Sequence, residues 1–171
     1  MKGARPKEES EPLASRLEHC SFFVRPMTGA DLGAVQAIES ENPSPWTLEQ
    51  LAGERDQDGG WQFVAEVVGA SRRVCGFVCG RSSAGEAELL KIAVALQYRR
   101  QGIAAQLMAH TLGYLEEQGV ERCFLELRAA NFPALALYER FGFRRVGLRK
   151  KYYASPPEDA IIMEKLVRVG A

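Results

Sequence analysis

A strand–turn–helix unit near the middle of the chain constrains its fold more than any other feature. An apolar run, residues 89–94, precedes the turn at residues 99–104, and an amphipathic segment follows at residues 105–117. The first amides of a helix lack intrahelical acceptors, and the helix dipole adds partial positive charge there. A glycine in the turn permits close approach to the backbone, and two arginines add formal charge. The turn therefore predicts a binding corner for a phosphorylated ligand.

Size and charge limit the remaining classes of function. The 171 residues suffice for one domain with a sizeable core, and 22 basic residues balance 22 acidic ones. A zero net charge argues against binding to DNA or to an anionic membrane, and no apolar run approaches the ~20 residues that span a bilayer. Residues 1–20 carry many charges and lack the apolar core of a secretory signal, so we expect a disordered polar tail before a domain at residues 21–168. The absence of targeting signals favours the cytoplasm.

The cysteines and histidines do not suggest a metal site. Four cysteines and two histidines are present, without a C-x-x-C pair and without clustering of the histidines near the cysteines. Zinc sites require closely spaced ligands of these types. We therefore expect no metal, and reduced core thiols at Cys75, Cys79 and Cys123, which lie within apolar runs.

Hydrophobic periodicity and turn residues predict an α/β domain with a mixed sheet. Helical spacing of apolar residues follows Thr28, and Thr47 with Gln50 three residues later is typical of a capped helix start. Gly119 is placed to end the long helix, and Pro133 lies in the first turn of another. The runs that predict strands are residues 21–25, 63–68, 74–80, 88–94, 123–128, 143–148 and 160–166. Strands and helices alternate in the second half, as expected for a partly parallel sheet.

The turn does not match the two commonest nucleotide-binding patterns. It lacks the Gly-Lys-Ser/Thr ending of a P-loop, and it lacks G-x-G-x-x-G. It reads Arg-x-x-Gly-x-Ala after a strand. From these residues alone, an ordinary strand-to-helix turn with exposed arginines stays open as an alternative.

A second group of residues gives the turn a family context. Residues 125–131 read Leu-Glu-Leu-Arg-Ala-Ala-Asn, and residues 136–143 read Ala-Leu-Tyr-Glu-Arg-Phe-Gly-Phe. Together with the upstream turn, this pattern resembles the GNAT superfamily of acyl-CoA N-acyltransferases. Ser-Pro-Trp at residues 44–46, and Tyr-Tyr at 152–153 followed by residues 158–163, look like the RimI-type ribosomal-protein alanine N-acetyltransferases. The resemblance covers residues 22–166.

The resemblance implies a fold, a donor and a set of donor-binding residues. The fold would be a mixed, mostly antiparallel sheet, flanked by helices and splayed open beside the strand that precedes the turn. The donor would be acetyl-CoA, its pyrophosphate on the turn and its pantetheine arm along the strand. Two departures are Ala104, where a second glycine is commoner, and Ala130, where serine is frequent. The donor-binding residues carried over by position are Ile92, Ala93, Val94, Arg100, Gln101, Gly102, Ile103, Ala104, Ala105 and Asn131.

Two residues are candidates for the proton transfers of the implied reaction. Glu126 lies between two leucines in a predicted strand, so it faces away from them and could accept a proton from the amine. A half-exposed solvent-face glutamate is the alternative. Tyr138 follows Asn131 on a helix, and its phenol could donate a proton to the departing CoA thiolate. A core aromatic is the alternative there. The cysteines lack a paired base, which favours direct attack in a ternary complex.

The sequence constrains the identity of the acceptor substrate less than that of the acetyl donor. The resemblance implies the N-terminal alanine of a small-subunit ribosomal protein as the acceptor, with Trp46 and Tyr152 lining a peptide groove. An enzyme that acetylates a small amine or another protein N-terminus stays open, as does a non-catalytic acyl-CoA-binding module. Glu126 and Tyr138 favour catalysis over the binding module, and the aromatic residues favour a peptide over a small amine. The sequence does not determine the oligomeric state.

Overall fold

One seven-stranded sheet, flanked on both faces by helices, organises the residues that the structure describes. The computed structural model describes residues 21–69 and 71–167, so the predicted tail at 1–20 and the last residue of the predicted domain lie outside the described residues. The strands are β1 (Phe22–Pro26), β2 (Gly60–Val67), β3 (Arg73–Ser83), β4 (Glu86–Val94), β5 (Arg122–Arg128), β6 (Arg144–Ala154) and β7 (Pro157–Leu166). The helices are α1 (Leu32–Glu39), α2 (Leu48–Arg55), α3 (Ile103–Glu117) and α4 (Phe132–Arg140), with 3₁₀ turns at Gly29–Asp31 and Leu96–Tyr98.

The sheet is mixed and mostly antiparallel, as predicted. Its strand order is β1-β2-β3-β4-β5-β7-β6, and β4 pairs with β5 in parallel while the other neighbours pair antiparallel. The parallel step requires a crossover, which α3 supplies between β4 and β5. The strand–turn–helix unit therefore lies at the centre of the sheet.

The two central strands separate partway along their length. Pairing between β4 and β5 runs from Glu86 opposite Arg122 to Leu89 opposite Leu125. Beyond this point β4 continues to Val94 without a partner on β5. The two strands thus leave a gap beside the second half of β4, which confirms the expected splay.

A bulge coincides with the start of this gap. Cys79 of β3 pairs with Lys91, but the next residue, Gly80, pairs with Leu89, so Leu90 is an extra residue on β4. A bulge bends its strand and increases the local twist. The bend falls where β4 and β5 part.

Helices α1 and α2 pack on one face of the sheet, and the local sequence explains where α2 begins. At α2 the Thr47 hydroxyl accepts from the Gln50 amide at 3.2 Å, and the Gln50 side chain accepts from the Thr47 amide at 2.8 Å. This reciprocal capping was predicted from the spacing of the two residues. Val35 of α1 and Leu51 of α2 are buried against one face of the sheet, whereas Leu107 of α3 is buried against the other.

The last hairpin is longer than the sequence predicted. The prediction ended one strand at residue 148 and began the next at residue 160, whereas β6 reaches Ala154 and β7 begins at Pro157. The intervening residues are polar and carry two prolines, which local patterns assign to a loop. Pairing with β7 nevertheless continues as far as Ala154 opposite Pro157, with a register shift between Arg149 and Tyr153.

Candidate active site

The N-terminus of α3 exposes a row of backbone amides. The first helical bond runs from the Gln106 amide to the Gly102 carbonyl at 3.1 Å, so the amides of residues 103–105 lack intrahelical acceptors. Within the described part of the chain, no side chain caps this helix. Arg100 and Gly102 have φ of 63° and 85°, which is a left-handed conformation. Such residues in a turn direct successive backbone amides toward one concave site. We call residues 100–105 the α3 corner, and its amides and helix dipole suit an anion.

The free edge of β4 continues from the α3 corner. The Ala95 amide donates to Cys75 of β3 at 2.9 Å. Backbone groups alternate in direction along a strand, so the Val94 amide points away from β3 and toward the gap. The Val94 carbonyl accepts from Arg99 Nε at 2.9 Å, and this arginine also reaches Asn42 at 3.4 Å. Arg99 is thus engaged with protein atoms, while Arg100 is exposed.

Asn131 has a local structural partner. Its Oδ1 caps α4 by accepting from the Ala134 amide at 3.2 Å. The side-chain amide nitrogen keeps its two donors, since the cap uses only the oxygen. The residue is exposed at the end of β5 and could still contact a bound molecule.

Glu126 faces a cavity of about 460 Å³ next to the point where β4 and β5 part. Its neighbours Leu125 and Leu127 are buried on the opposite face, as the alternation of the strand predicted. The Glu126 side chain is 20% exposed and forms an ion pair with Arg149 Nε of β6 at 2.9 Å. Tyr152 is the next partner: a hydrogen bond to Glu126 and the negative charge of that carboxylate raise the pKa of Tyr152. We call this cavity the Glu126 pocket.

Tyr138 lies on the other face of the sheet. It is a buried residue of α4, and its ring packs against Phe143 with centroids 5.8 Å apart. Burial raises the pKa of Tyr138 above its usual value, so the phenol keeps its proton. The two candidate catalytic residues therefore lie on opposite faces of the sheet, and the structure does not put them in one pocket.

Trp46 is held by a buried carboxylate and lies outside the lining of the Glu126 pocket. Glu39 of α1 is fully buried and accepts from the Trp46 amide at 3.1 Å. Glu39 also pairs with Lys91 of β4, whose ammonium lies 5.1 Å from the centre of the Trp46 ring. The loop between α1 and α2 is therefore fixed to the central strand at this tryptophan.

Arg128 joins that loop to the β6–β7 hairpin. Its Nη2 donates to the Ser44 hydroxyl at 2.9 Å and to the Ser155 carbonyl at 3.0 Å. Its Nη1 lies 3.2 Å from Glu158, and its guanidinium stacks over the Tyr153 ring at 4.1 Å. We call these contacts the Arg128 bracket. The bracket links two segments that lie far apart in the sequence.

Sequence reasoning missed the residues that surround the catalytic candidates. It did not connect Arg149 with Glu126, and it assigned no role to Arg128 or Glu39. A charged residue within an apolar stretch, as Glu39 is after Ile38, was the available signal. Its partner Lys91 lies 52 positions away, which a local pattern does not reveal.

Three further expectations concern groups outside the Glu126 pocket, namely the cysteine thiols, possible metal ligands and possible membrane-spanning helices. Burial raises the pKa of Cys79 and of Cys123 to about 12, so neither thiol is a thiolate at neutral pH. Among residues 21–69 and 71–167, no three His, Cys, Asp or Glu side chains are grouped to hold a metal ion. No helix in the same residues is long and apolar enough to cross a membrane.

Comparisons with known proteins agree with this architecture. The model of the acetyltransferase (GNAT) family matches residues 20–143. The chain is 35% identical over 136 residues to the ribosomal protein bS18-alanine N-acetyltransferase of Escherichia coli K12, which covers 78% of this chain and 89% of the relative. The protein of the same name from Salmonella typhimurium is 34% identical over 140 residues, or 80% and 92% of the two chains.

A solved structure gives the same result in three dimensions. The crystal structure of the ribosomal-protein-S18-alanine N-acetyltransferase from Escherichia coli superimposes with a TM-score of 0.79 and 30% identity, covering 88% of this chain and 97% of that one. The family model spans more than half of the 171 residues, and the relatives match along most of their length. The chain belongs to the acetyltransferase (GNAT) family.

Proposed function

We propose that this enzyme transfers the acetyl group of acetyl-CoA to the N-terminal α-amine of a ribosomal protein that begins with alanine. The observation that carries the proposal is the position of Glu126, a carboxylate in a cavity beside the β4–β5 gap. A thioester in that gap would lie between this cavity and the phenol of Tyr138. The names of the E. coli and Salmonella relatives support a ribosomal protein as acceptor.

Acetyl-CoA fits the residues at the α3 corner and along β4. The open amides of residues 100–105 suit its pyrophosphate, and a Cβ built on Gly102 meets nothing within 4 Å, so the approach is unobstructed. The unpaired edge of β4 at Ile92, Ala93 and Val94 suits the amide groups of the pantetheine arm, and Asn131 offers further donors. When bound, this molecule supplies an acetyl group activated as a thioester.

The protein's own groups would handle the protons. An ammonium cannot attack a carbonyl carbon, because its lone pair holds a proton, and the α-amine pKa of ~7.7–8.0 leaves much of the acceptor protonated at neutral pH. Glu126 accepts that proton, since the contacts with Arg149 and Tyr152 leave further lone pairs on its two oxygens. The Val94 amide donates to the thioester oxygen as charge develops there.

Bond making and bond breaking occur on opposite sides of the sheet. The amine nitrogen bonds to the acetyl carbon from the Glu126 face, and the carbon–sulfur bond breaks toward the Tyr138 face. Tyr138 is protonated at neutral pH and donates its phenolic proton to the leaving thiolate, while the burial that raises its pKa keeps the phenol neutral before the carbon–sulfur bond breaks. No cysteine nucleophile is required, and the buried thiols of Cys79 and Cys123 are unsuited to that role.

A peptide panel tests the proposal. The enzyme is incubated with acetyl-CoA and with hexapeptides that differ only at residue one, and release of the CoA thiol is measured. We expect turnover on peptides that begin with alanine, with the acetyl group on the α-nitrogen by mass spectrometry. Turnover on small amines without turnover on any peptide would contradict the proposal, and CoA binding without turnover on either class would favour a binding module.

A further inference from the structure

A second carboxylate shares the Glu126 pocket. Glu88 of β4 lies opposite Phe124 in the parallel register, and Phe124 and Glu126 are two residues apart on one strand, so all three side chains are on one face of the sheet. Glu88 and Glu126 both line the cavity of about 460 Å³. Glu126 is about 7 Å along β5 from the residue opposite Glu88, and neighbouring strands lie about 4.8 Å apart, so the backbones of the two glutamates are about 8 Å apart and both side chains can reach one small cation.

The charges around Glu88 do not neutralise it. Arg81, directly opposite on β3, points both ends of its guanidinium at Glu54 of α2, with contacts of 2.9 Å each. Arg149 of β6 is paired with Glu126. Within the described residues, no basic side chain pairs with Glu88. The nearest cation on its own strand, Lys91, is bound to Glu39.

The remaining groups around the pocket are acidic or neutral. Glu86 lines the cavity one pleat before Glu88, and Tyr152 of β6 lies outside the lining but interacts with the Glu126 carboxylate. The charge of Glu88 reaches this tyrosine and contributes to the upward shift of its pKa, after the larger effects of the Glu126 carboxylate. The pocket thus carries uncompensated negative charge next to the group that accepts the proton.

We propose that Glu88 determines specificity by binding the α-ammonium of the acceptor as a cation, before Glu126 takes its proton. The inference rests on the proposed function, because it assumes an amine in the Glu126 pocket. Glu126 is restrained by Arg149, whereas Glu88 is exposed and free to turn toward an incoming charge. The two carboxylates thus have different roles: Glu88 binds the ammonium, and Glu126 removes its proton.

The pH dependence of KM tests this division. Below an α-amine pKa of ~7.7–8.0 the acceptor is a cation and is attracted to Glu88, and above it the attraction vanishes. For Glu88→Gln we expect the peptide KM to rise about tenfold at about pH 6.5 and to match the wild type at about pH 9, with kcat changed less than twofold. Glu117→Gln, which removes one charge from the exposed end of α3, is the matched control and leaves KM unchanged. An unchanged KM at the lower pH, or an equal rise at both pH values, overturns the inference.

A binding measurement separates this inference from the proposed function. Calorimetry with CoA present compares an alanine-initiated peptide with its des-amino analogue, which begins with a propionyl group and lacks the ammonium. The wild type should bind the alanine peptide about tenfold more tightly, and Glu88→Gln should bind both alike. Equal binding of both peptides by the wild type overturns the role of Glu88 even if turnover supports the proposed function. Absence of peptide binding and of peptide turnover overturns both.

Discussion

The α3 corner and the proposed acceptor side of this enzyme are built from different chemical groups. The corner consists of the consecutive backbone amides of residues 100–105, and the unpaired backbone edge of β4 continues from it. The acceptor side is made of side chains from β3, β4, β5 and β6 around the Glu126 pocket, with the Arg128 bracket holding two loops beside it. One region comes from a single continuous stretch, and the other is assembled across long sequence separations.

This difference shows how the two regions can vary. Backbone amides are present whatever the side chains, so the corner depends on conformation alone, chiefly on the left-handed turn at Arg100 and Gly102. The acceptor side depends on the identity of each charged group, because its ion pairs join different elements. Glu126 of β5 pairs with Arg149 of β6, and Glu39 of α1 pairs with Lys91 of β4. Substitutions should therefore affect donor binding through strain and acceptor chemistry through charge.

The largest effect is expected for Glu126→Gln, which removes the proposed proton acceptor and keeps the shape of the side chain. We predict a fall in kcat of about 100-fold or more at neutral pH, larger at low pH, because the reaction then depends on the fraction of amine that is already neutral. Stopped-flow or steady-state thiol release at several pH values measures it, with CoA affinity as the control. A variant whose loss is the same at every pH would remove Glu126 from the proton transfer.

A smaller effect, confined to the acceptor, is expected for Arg128→Met. The substitution keeps the aliphatic packing but deletes the hydrogen bonds to Ser44 and Ser155, so the α1–α2 loop and the β6–β7 hairpin are no longer held together. Two hydrogen bonds that each contribute about 1 kcal/mol predict a rise of about thirtyfold in peptide KM, with the acetyl-CoA KM unchanged. Ser44→Ala, which removes part of the bracket, should give an intermediate value, and a change in both KM values would contradict this assignment.

The same difference explains what the sequence could predict. The α3 corner, the capped start of α2 and the splay beside β4 follow from contiguous patterns or from a family motif, and all appear at the expected residues. The extended β6–β7 hairpin was missed, because pairing with a neighbouring strand overrides the loop signals of its prolines. The ion pair of Arg149 with Glu126 was not predicted, since the two residues are 23 positions apart in sequence and lie on strands that are not neighbours in the sheet. Side-chain pairs that depend on strand order require the structure.

In the α3 corner, Gly102→Ala tests whether the left-handed backbone conformation at this residue determines the affinity for acetyl-CoA. A Cβ at this position meets no protein atom within 4 Å, so crowding within the chain is absent and the cost comes from φ of 85°. A left-handed alanine costs about 1 kcal/mol, which predicts a rise of about fivefold in the acetyl-CoA KM with the peptide KM unchanged. Gly113→Ala, in the open middle of α3, is the matched control, and an equal change there would show a general effect on the helix.

The last prediction lies outside both regions and sharpens the comparison by leaving both KM values alone. Asp31 accepts from Arg25 at 2.8 Å and from the Thr28 amide at 2.7 Å, at the far edge of the sheet. Bonds from Arg25 and Thr28 lower the pKa of Asp31 from 3.8 to about 2. A depressed carboxyl pKa adds stability that is complete above pH 3.8 and is lost as pH falls toward about 2. Asp31→Asn should therefore lower the free energy of unfolding at pH 7 by about 2 kcal/mol, measured by urea denaturation, and lose that difference near pH 2. If this variant also raised either KM, global destabilisation would account for the effects assigned to Arg128 and Gly102, and the division between backbone and side-chain sites would fail.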